Sequence, residues 1–135
     1  MKQIIYKTTE IPDAEQVIAV YESLGIVRPT ADKKRIERMY ANSNVVITAW
    51  CDNLLIGVAR ALTDFAYCCY LSDLAIRKEF QGQGIGKQLV EEVKKVIGTT
   101  EEISLLLLSA PNAMEYYPKI GFSKIENGFI IKRKS

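Results

Sequence analysis

The chain of 135 residues contains no histidine. This absence excludes catalysis by Ser-His-Asp or Cys-His groups, and it excludes every metal site that needs an imidazole ligand. The three cysteines, Cys51, Cys68 and Cys69, lack CxxC spacing, and neighbours on a strand point to opposite faces. We therefore expect no metal, and we interpret the cysteines as small apolar core residues rather than catalytic thiols.

Long apolar runs and strong net charge are also missing. No stretch reaches the roughly 18 consecutive apolar residues of a membrane-spanning helix, and residues 1–6 lack the pattern of a signal peptide, so a cytoplasmic protein is expected. The formal charge of +2 is too small to indicate nucleic-acid binding. With 48% apolar residues the chain can bury a core, and we predict one domain over residues 1–135, with neither membrane nor nucleic acid as a partner.

Local patterns predict the order β, α, α, β, β, β, α, β, α, β, β. The predicted strands are 2–7, 45–50, 54–61, 67–76, 103–108, 122–125 and 129–132. Two of the connections are predicted hairpin turns, at 52–53 and at 127–128, because Asp, Asn and Gly tolerate positive φ.

The helices have recognisable ends in the sequence. Pro12 and Asp13 predict the start of the first helix, and Gly25 predicts its end. Thr30 is the predicted cap of the second helix, and a third follows Ile85.

The most informative segment reads QGQGIG over residues 81–86, between a predicted strand and a predicted helix. Glycine lets the main chain approach a ligand closely, and the free N–H groups of a helix's first turn bind anions. The spacing predicts a phosphate site, with tight strand-to-helix packing as the alternative. It does not fit a P-loop or a dinucleotide-binding fingerprint.

Two spaced motifs carry a family resemblance. Residues 81–87 have the form Q-x-x-G-x-G followed by Lys, and residues 113–122 have the form A-x-x-x-Y-x-x-x-G-F. Together they resemble the GNAT superfamily of acetyl-CoA-dependent N-acyltransferases. The resemblance implies an α/β (α+β) fold, with a mixed central sheet of six to seven strands, four helices and a splayed central strand pair.

The resemblance also implies where acetyl-CoA binds. The pantetheine arm is expected to bond the main chain near Leu74 and Ile76, and the pyrophosphate is expected on the N–H groups of residues 81–87. The full expected set is Leu74, Ala75, Ile76, Gln81, Gly82, Gln83, Gly84, Ile85, Gly86, Lys87, Asn112 and Tyr117.

Two residues are predicted to be catalytic. Tyr117 matches the family tyrosine that protonates the departing thiolate, although packing between helix and sheet is the alternative. Tyr116 is one residue out of register, about 100° around a helix, so its hydroxyl is expected elsewhere. Without histidine, the base that deprotonates the amine must be a carboxylate, a water chain or a phenolate. Asp73 is the best-placed carboxylate, and a structural role for it is the alternative.

The acceptor is predicted from weaker signals. Asp64 is a candidate to bind a cationic substrate, and Trp50, Phe65 and Tyr67 are candidates to line its site or to serve as core. A shorter similarity to plastid-type arylalkylamine acetyltransferases and small bacterial relatives favours a small-molecule primary amine. The alternatives are a protein or peptide amine, or an acetyl-CoA-binding regulatory module without turnover. A homodimer is compatible with the sequence.

Overall fold

The computed structural model describes residues 3–98 and 100–135. Within them lie five strands: β1 (Ile4–Lys7), β2 (Val45–Cys51), β3 (Leu54–Thr63), β4 (Cys68–Ile76) and β5 (Ser104–Leu106). The helices are α1 (Ala14–Leu24), α2 (Lys33–Ala41), α3 (Ile85–Ile97) and α4 (Tyr116–Lys119). The mixed α/β class and the four helices are confirmed, whereas position 2 of the predicted first strand lies outside the described residues.

The strands form one sheet in the order β1-β2-β3-β4-β5. The first three pairings are antiparallel and the last, between β4 and β5, is parallel. That last pairing covers only three residue pairs, from Cys68 with Ser104 to Tyr70 with Leu106. The two strands therefore part at Tyr70, well before β4 ends at Ile76, which is the splay that the sequence predicted.

The predicted sheet of six to seven strands is wrong, because the described residues contain five. The segments 122–125 and 129–132 are not strands, and residues 123–135 are all exposed. A two-residue turn of the type favoured by Asn-Gly needs positive φ at both positions, and neither Asn127 nor Gly128 has it. That type of turn is therefore not formed at 127–128, and the two segments do not pair as a hairpin.

The helix ends follow local chemistry, with one correction. Gly25 ends α1 in the left-handed region at φ 70°, as predicted, and its N–H bonds the carbonyls of Tyr21 and Glu22. The cap of α2 is Asp32 rather than Thr30, because Asp32 immediately precedes the helix and its carboxylate accepts the Arg35 N–H at 3.1 Å.

Helices cover both faces of the sheet and define two apolar cores. On one face α3 contributes Leu89 and Val93 to a core with alternate residues of β2 and β3. On the other face Tyr21 of α1 and Tyr40 of α2 pack against residues that include Val58. Each such large side chain contributes about 1.5–3 kcal/mol when fully buried.

The structure bears on two expectations from the composition, the membrane-spanning helix and the cysteines. No helix within 3–98 and 100–135 is both long and apolar enough to cross a membrane. Cys51 and Cys69 are buried, as expected of core residues, whereas Cys68 at the start of β4 is exposed, and all three are free thiols.

Candidate active site

The glycine turn after β4 has the geometry of an anion site. Gly82 and Gly84 have φ of 81° and 79°, which L side chains rarely adopt, so glycine is needed at both positions. Gly84 is the N-cap of α3, and no side chain in the described chain caps this end of the helix. The first-turn N–H groups therefore face outward at the positive end of the helix dipole, where they can bind a phosphate group.

The turn adjoins an open edge of β4. Gln81 ties the two together, since its Nε2 donates to the Ile76 carbonyl at 3.2 Å. Pairing with β5 stops at Tyr70, so within the described ranges the edge from Ser72 to Ile76 that faces away from β3 pairs with no strand. Main-chain groups along such an edge can bond an extended ligand that carries amides.

A β-bulge sets the direction of the side chains along this edge. Arg60 of β3 pairs with Asp73, whereas Ala61 pairs with Leu71, so Ser72 is an extra residue in β4. Leu71 faces the core beneath α3, and after the bulge Ala75 faces the core beneath α1 and α2. One inserted residue reverses the alternation, and the same reversal turns Asp73 toward α1 and α2.

Asp73 is the centre of a buried polar cluster. Its side chain is fully buried, and its two oxygens accept hydrogen bonds from Arg28 Nε and Arg60 Nε, each at 2.5 Å. The Tyr21 hydroxyl also donates to Asp73 Oδ2 at 3.0 Å, and it lies 2.5 Å from the Tyr40 hydroxyl. The carboxylate therefore joins β3, β4 and both N-terminal helices to the loop that carries Arg28.

Two guanidinium groups share this one carboxylate, which leaves one positive charge in excess. Arg28 also donates from Nη2 to the Ser72 carbonyl at 3.2 Å, so it satisfies a main-chain group that the bulge leaves without a strand partner. Burial, together with the Asp73 carboxylate, raises the pKa of the Tyr21 and Tyr40 hydroxyls, so both stay protonated at neutral pH. With both Asp73 oxygens engaged, these contacts favour a positioning role for Asp73 over direct proton abstraction.

Sequence reasoning missed both arginines of this cluster. Arg28 lies in the loop between α1 and α2, 45 positions before Asp73, so no local pattern relates the two. Arg60 did leave a signal, because it is a charged residue within the otherwise apolar run of β3 and is only 8% exposed. A charge in a buried strand requires a partner, and Asp73 is the carboxylate opposite it in the register.

Tyr117 lies on α4, half-buried between two aromatic rings. Its ring centroid is 5.3 Å from that of Tyr116 and 5.6 Å from that of Phe122, both edge-on. Burial raises the pKa of the Tyr117 hydroxyl, with a further contribution from Tyr116, while the Arg28 charge acts in the opposite direction. The phenol is therefore protonated at neutral pH, as a proton donor must be.

The hydroxyl of Tyr116 lies against the start of α3. A Cβ on Gly86 would collide with the Tyr116 oxygen and would come within 3.3 Å of the Ile76 side chain. Gly86 is thus required for close approach rather than for its φ. The hydroxyl expected to point elsewhere lies beside the predicted pyrophosphate site, so Tyr116→Phe is not an inert control for Tyr117→Phe.

The comparisons agree with this arrangement. The family described as an acetyltransferase (GNAT) domain matches residues 12–132. The chain belongs to the GNAT acetyltransferases. It is thus an acyltransferase, and acetyl-CoA is the acyl donor expected for the family.

Curated relatives are distant and longer. An uncharacterised N-acetyltransferase ycf52 from Porphyra purpurea is 25% identical over 130 residues, which cover 95% of this chain and 75% of the relative. The chloroplastic GCN5-related N-acetyltransferase 2 of Arabidopsis thaliana is 32% identical over 74 residues, which are 55% of this chain and 29% of the relative. The match thus spans three quarters of the algal protein but under a third of the plant protein.

Solved structures support the GNAT fold. A probable acetyltransferase of unknown function, SA2161 from meticillin-resistant Staphylococcus aureus, superposes with a TM-score of 0.84 at 25% identity, covering 97% of this chain and all of that one. The aminoglycoside N-acetyltransferase AAC(6')-Iy in complex with CoA has a TM-score of 0.75 at 16% identity, covering 100% and 97% of the two chains. At that identity the second likeness concerns the fold alone.

The structure places the predicted acceptor residues on the turn before β4 and on β2. Asp64 accepts hydrogen bonds from the N–H groups of residues 66–68, which lower its pKa to about 2, so it caps its own turn. Phe65 and Tyr67 flank that turn, 50% and 78% exposed, at the end of β4 that is paired with β5. Trp50 packs on the core under α1 and α2, and its Nε1 donates to Thr48 at 2.8 Å.

The other residues predicted to contact acetyl-CoA lie on the glycine turn, on the first turn of α3 and before α4. Gln83 and Lys87 are exposed on the glycine turn and the first turn of α3, and Ile85 is buried. Asn112 is exposed in the short 3-10 turn Pro111–Ala113 that precedes α4.

Proposed function

We propose that the protein transfers an acetyl group from acetyl-CoA to a primary amine of a small molecule, by direct attack within a ternary complex. The observation that carries this proposal is the continuity of an open strand edge, an uncapped helix N-terminus and a protonated tyrosine. The first two suit an elongated ligand with amides and a diphosphate, and the third suits a leaving thiolate.

The donor is proposed to lie along the open edge of β4 and to end at the glycine turn. Main-chain groups of residues 74–76 bond the amides of its arm, and the N–H groups of residues 81–87 bond its diphosphate. The glycines of this turn support the placement. Positive φ disfavours a side chain at position 82 or 84, and the Tyr116 hydroxyl occupies the space of a side chain at position 86. Asn112 is retained as a further proposed contact.

The proposed chemistry needs a neutral amine and a proton for sulfur. The neutral amine nitrogen attacks the thioester carbonyl carbon, the C–S bond breaks, and Tyr117 gives its proton to the leaving sulfur. The proton that the nitrogen loses on becoming an amide passes to water, and Tyr117 regains a proton from water. An amine of pKa near 10.4 must first lose a proton, which costs about 4.6 kcal/mol at pH 7. That proton is proposed to leave through a water chain, with Asp73 as a positioning residue, because the oxygens of Asp73 already hold Arg28 and Arg60.

The acceptor class and the compartment are also proposals. The name of AAC(6')-Iy records an aminoglycoside as the acceptor of that protein, and a small amine fits the same reaction class here. The predicted acceptor set of Asp64, Trp50, Phe65 and Tyr67 is less supported, since these residues lie apart from Tyr117. A cytoplasmic location is proposed for the domain of residues 1–135, with a plastid as the alternative because the Arabidopsis relative is named chloroplastic.

Thiol release from acetyl-CoA tests the function. The protein is offered polyamines, arylalkylamines, amino acids, aminoglycosides and peptide amines, and calorimetry measures CoA binding in parallel. Release with one small-molecule class supports the proposal. Release with peptides alone assigns a protein or peptide amine as the acceptor. CoA binding without release across the panel indicates a regulatory module, and no CoA binding contradicts the donor site.

A further inference from the structure

The ion cluster around Asp73 carries more positive charge than negative. Arg28 and Arg60 share its one carboxylate, and in the part of the chain that the structure describes no other acidic side chain forms an ion pair with either guanidinium group. The three groups therefore sum to one positive charge. A half-buried charge without a counter-ion is costly, because burial removes the water that would solvate it. The cluster thus suits a ligand that brings one negative charge.

Arg28 is the charged member of this cluster that a ligand can reach. Its side chain is 27% exposed, whereas that of Arg60 is 10% exposed and that of Asp73 is 0% exposed. Arg60 also donates from both terminal nitrogens to hydroxyl groups, to that of Ser43 at 3.1 Å and to that of Ser72 at 2.8 Å. Arg60 is thus held inside the protein, and Arg28 presents the excess charge.

Arg28 keeps hydrogen-bond donors for a further partner. A guanidinium group has five N–H donors. Nε donates to Asp73, Nη1 donates to the Val27 carbonyl at 2.7 Å, and Nη2 donates to the Ser72 carbonyl at 3.2 Å. Among residues 3–98 and 100–135 these are its acceptors, so one N–H on each terminal nitrogen is left. The three bonds also fix the plane of the group, so the remaining donors are held in place for a carboxylate.

These donors lie beside the gap in which the proposed chemistry takes place. Ser72, whose carbonyl accepts from Arg28, is the second residue past Tyr70, where β5 parts from β4. Burial raises the pKa of the Tyr117 hydroxyl, and the Arg28 charge opposes that rise, so the two groups are near enough to interact. A ligand bound to Arg28 is therefore close to the residue proposed to protonate the leaving sulfur.

We propose that Arg28 selects the acceptor, and that this acceptor is a small amine which also carries a carboxylate, such as an amino acid. The inference rests on the proposed acetyl transfer and names the acceptor class for it. The carboxylate accepts hydrogen bonds from the remaining Arg28 donors and brings the cluster to neutrality, while the amine is directed toward the thioester. Asp73 and the Ser72 carbonyl act as positioning groups that hold the guanidinium.

The same charge disfavours polyamines. A polyamine brings a second ammonium group beside the excess charge of the cluster, and like charges repel strongly where solvent is partly excluded. For one amine with different end groups, acceptors should therefore rank carboxylate first, carboxamide second and ammonium last. This order is the reverse of the one expected if Asp64 bound a cationic acceptor.

Thiol release from acetyl-CoA with matched acceptors tests the inference. α-Amino acids and longer ω-amino acids are each compared with their carboxamides, and the ω-amino acids also with the corresponding diamines. The kcat/KM is expressed per neutral amine, so differences in amine basicity do not enter. Carboxylates should exceed their carboxamides by about tenfold to a hundredfold, the effect of a charge-assisted hydrogen bond. Equal values within every pair would overturn the inference and leave acetyl transfer intact. Release with none of the amines would instead remove the proposed function, and this inference with it.

Variants of Arg28 assign the preference to its guanidinium group. Arg28→Gln should make each carboxylate and its carboxamide equal acceptors, and the ratio between them cancels any loss that both share. Arg28→Lys keeps the charge but not the paired donors, so it should retain part of the preference and serves if Arg28→Gln does not fold. Arg38→Gln, exposed on α2, is the matched control for the loss of one positive charge and should leave the ratio unchanged. A preference that survives in folded Arg28→Gln would overturn the inference.

Discussion

The two ends of β4 differ in their strand pairing and in the role of the nearby carboxylate. At the first end β4 is held by β3 on one side and β5 on the other, and Asp64 closes the preceding turn through N–H groups of its own loop. At the second end the edge that would face β5 is open, and the bulge at Ser72 directs the Asp73 side chain toward the buried arginines. The glycine turn follows this end of the strand. The proposed acetyl-CoA site thus lies where the pairing of β4 with β5 stops. Substitutions at the open end of β4 should therefore affect ligand binding, and substitutions at the paired end should not.

The largest effect is expected at the glycine turn. Gly84→Asp places a carboxylate where a diphosphate should bind, and two like charges about 4 Å apart at a protein surface repel by about 4 kcal/mol. CoA affinity should therefore fall at least a hundredfold in a titration calorimeter. A Cβ at position 84 meets no atom within 4 Å, and aspartate is one of the few residues other than glycine found at positive φ, so the variant should stay folded despite the strain.

Gly84→Asn is the matched control, because asparagine has the same size and the same conformational strain without the charge. It should lose far less affinity than Gly84→Asp. Equal losses in both variants would assign the effect to shape or φ rather than to anion repulsion. Normal affinity in a folded Gly84→Asp variant would contradict the placement of the diphosphate.

The next largest effect is expected at Asp73. Asp73→Asn leaves two guanidinium groups without their carboxylate, and breaking a buried ion pair typically costs about 3 kcal/mol or more. Chemical denaturation should show this loss in the free energy of unfolding, and the pH dependence of kcat/KM should keep its shape. A variant of normal stability that loses the acidic limb of that profile would instead identify Asp73 as the general base.

A smaller effect is expected at Tyr117. Tyr117→Phe keeps the ring contacts with Tyr116 and Phe122 and removes only the hydroxyl, so a change in rate reports proton donation. General acids contribute typically 10²- to 10⁴-fold, and a thiolate is a good leaving group, so we expect kcat to fall about tenfold to a hundredfold with little change in KM for acetyl-CoA. Tyr67→Phe, at the exposed start of β4, is the control and should leave kcat unchanged. Equal rates for the parent and Tyr117→Phe, with chemistry rate-limiting, would remove Tyr117 from the mechanism.

The smallest effect is expected at the paired end. The Asp64 pKa is lowered from 3.8 to about 2 by main-chain hydrogen bonds, so the stability it contributes is present above pH 3.8 and is lost as the pH falls toward 2. Asp64→Asn should therefore lower Tm slightly at neutral pH, and its Tm should meet that of the parent near pH 2. Glu126→Gln on the exposed segment controls for the loss of one negative charge. A large loss of amine affinity in Asp64→Asn would instead place the acceptor at this end of β4.

The sequence predicted those parts whose causes are local. Gly25 and Gly84 have positive φ, which few other residues adopt, so glycine at these positions is itself a local signal of a helix end. The α2 cap was misplaced because Thr30 and Asp32 are both good caps, and only the start of the helix decides between them. The cluster around Asp73 could not be predicted, because the Arg28 and Tyr21 contacts join residues far apart in the chain.

The failed hairpin has a different physical cause. Asn127-Gly128 is a strong local turn signal, but a two-residue turn becomes stable only when the strands beside it gain partners. Within this one chain residues 129–132 do not reach the β5 edge, so the local preference is not enough to reverse the chain. The Asp52-Asn53 turn did form, with positive φ at Asp52 alone, because β2 is paired with β3 from Val45 to Cys51.

The extra residue at Ser72 makes the site sensitive to chain length as well as to residue identity. A substitution at Ser72 would change one hydroxyl that contacts Arg60. If Ser72 instead entered the ladder opposite Arg60, every later side chain of β4 would point to the other face, so that Asp73 would face the apolar core beneath α3. Deleting Ser72 would remove its contacts with the two arginines but would keep Asp73 opposite Arg60, because neighbours in a regular strand point to opposite faces. Loss of Ser72 therefore costs the ion cluster two contacts without turning its carboxylate away, whereas a second residue inserted between Leu71 and Asp73 would need a wider bulge to keep that direction.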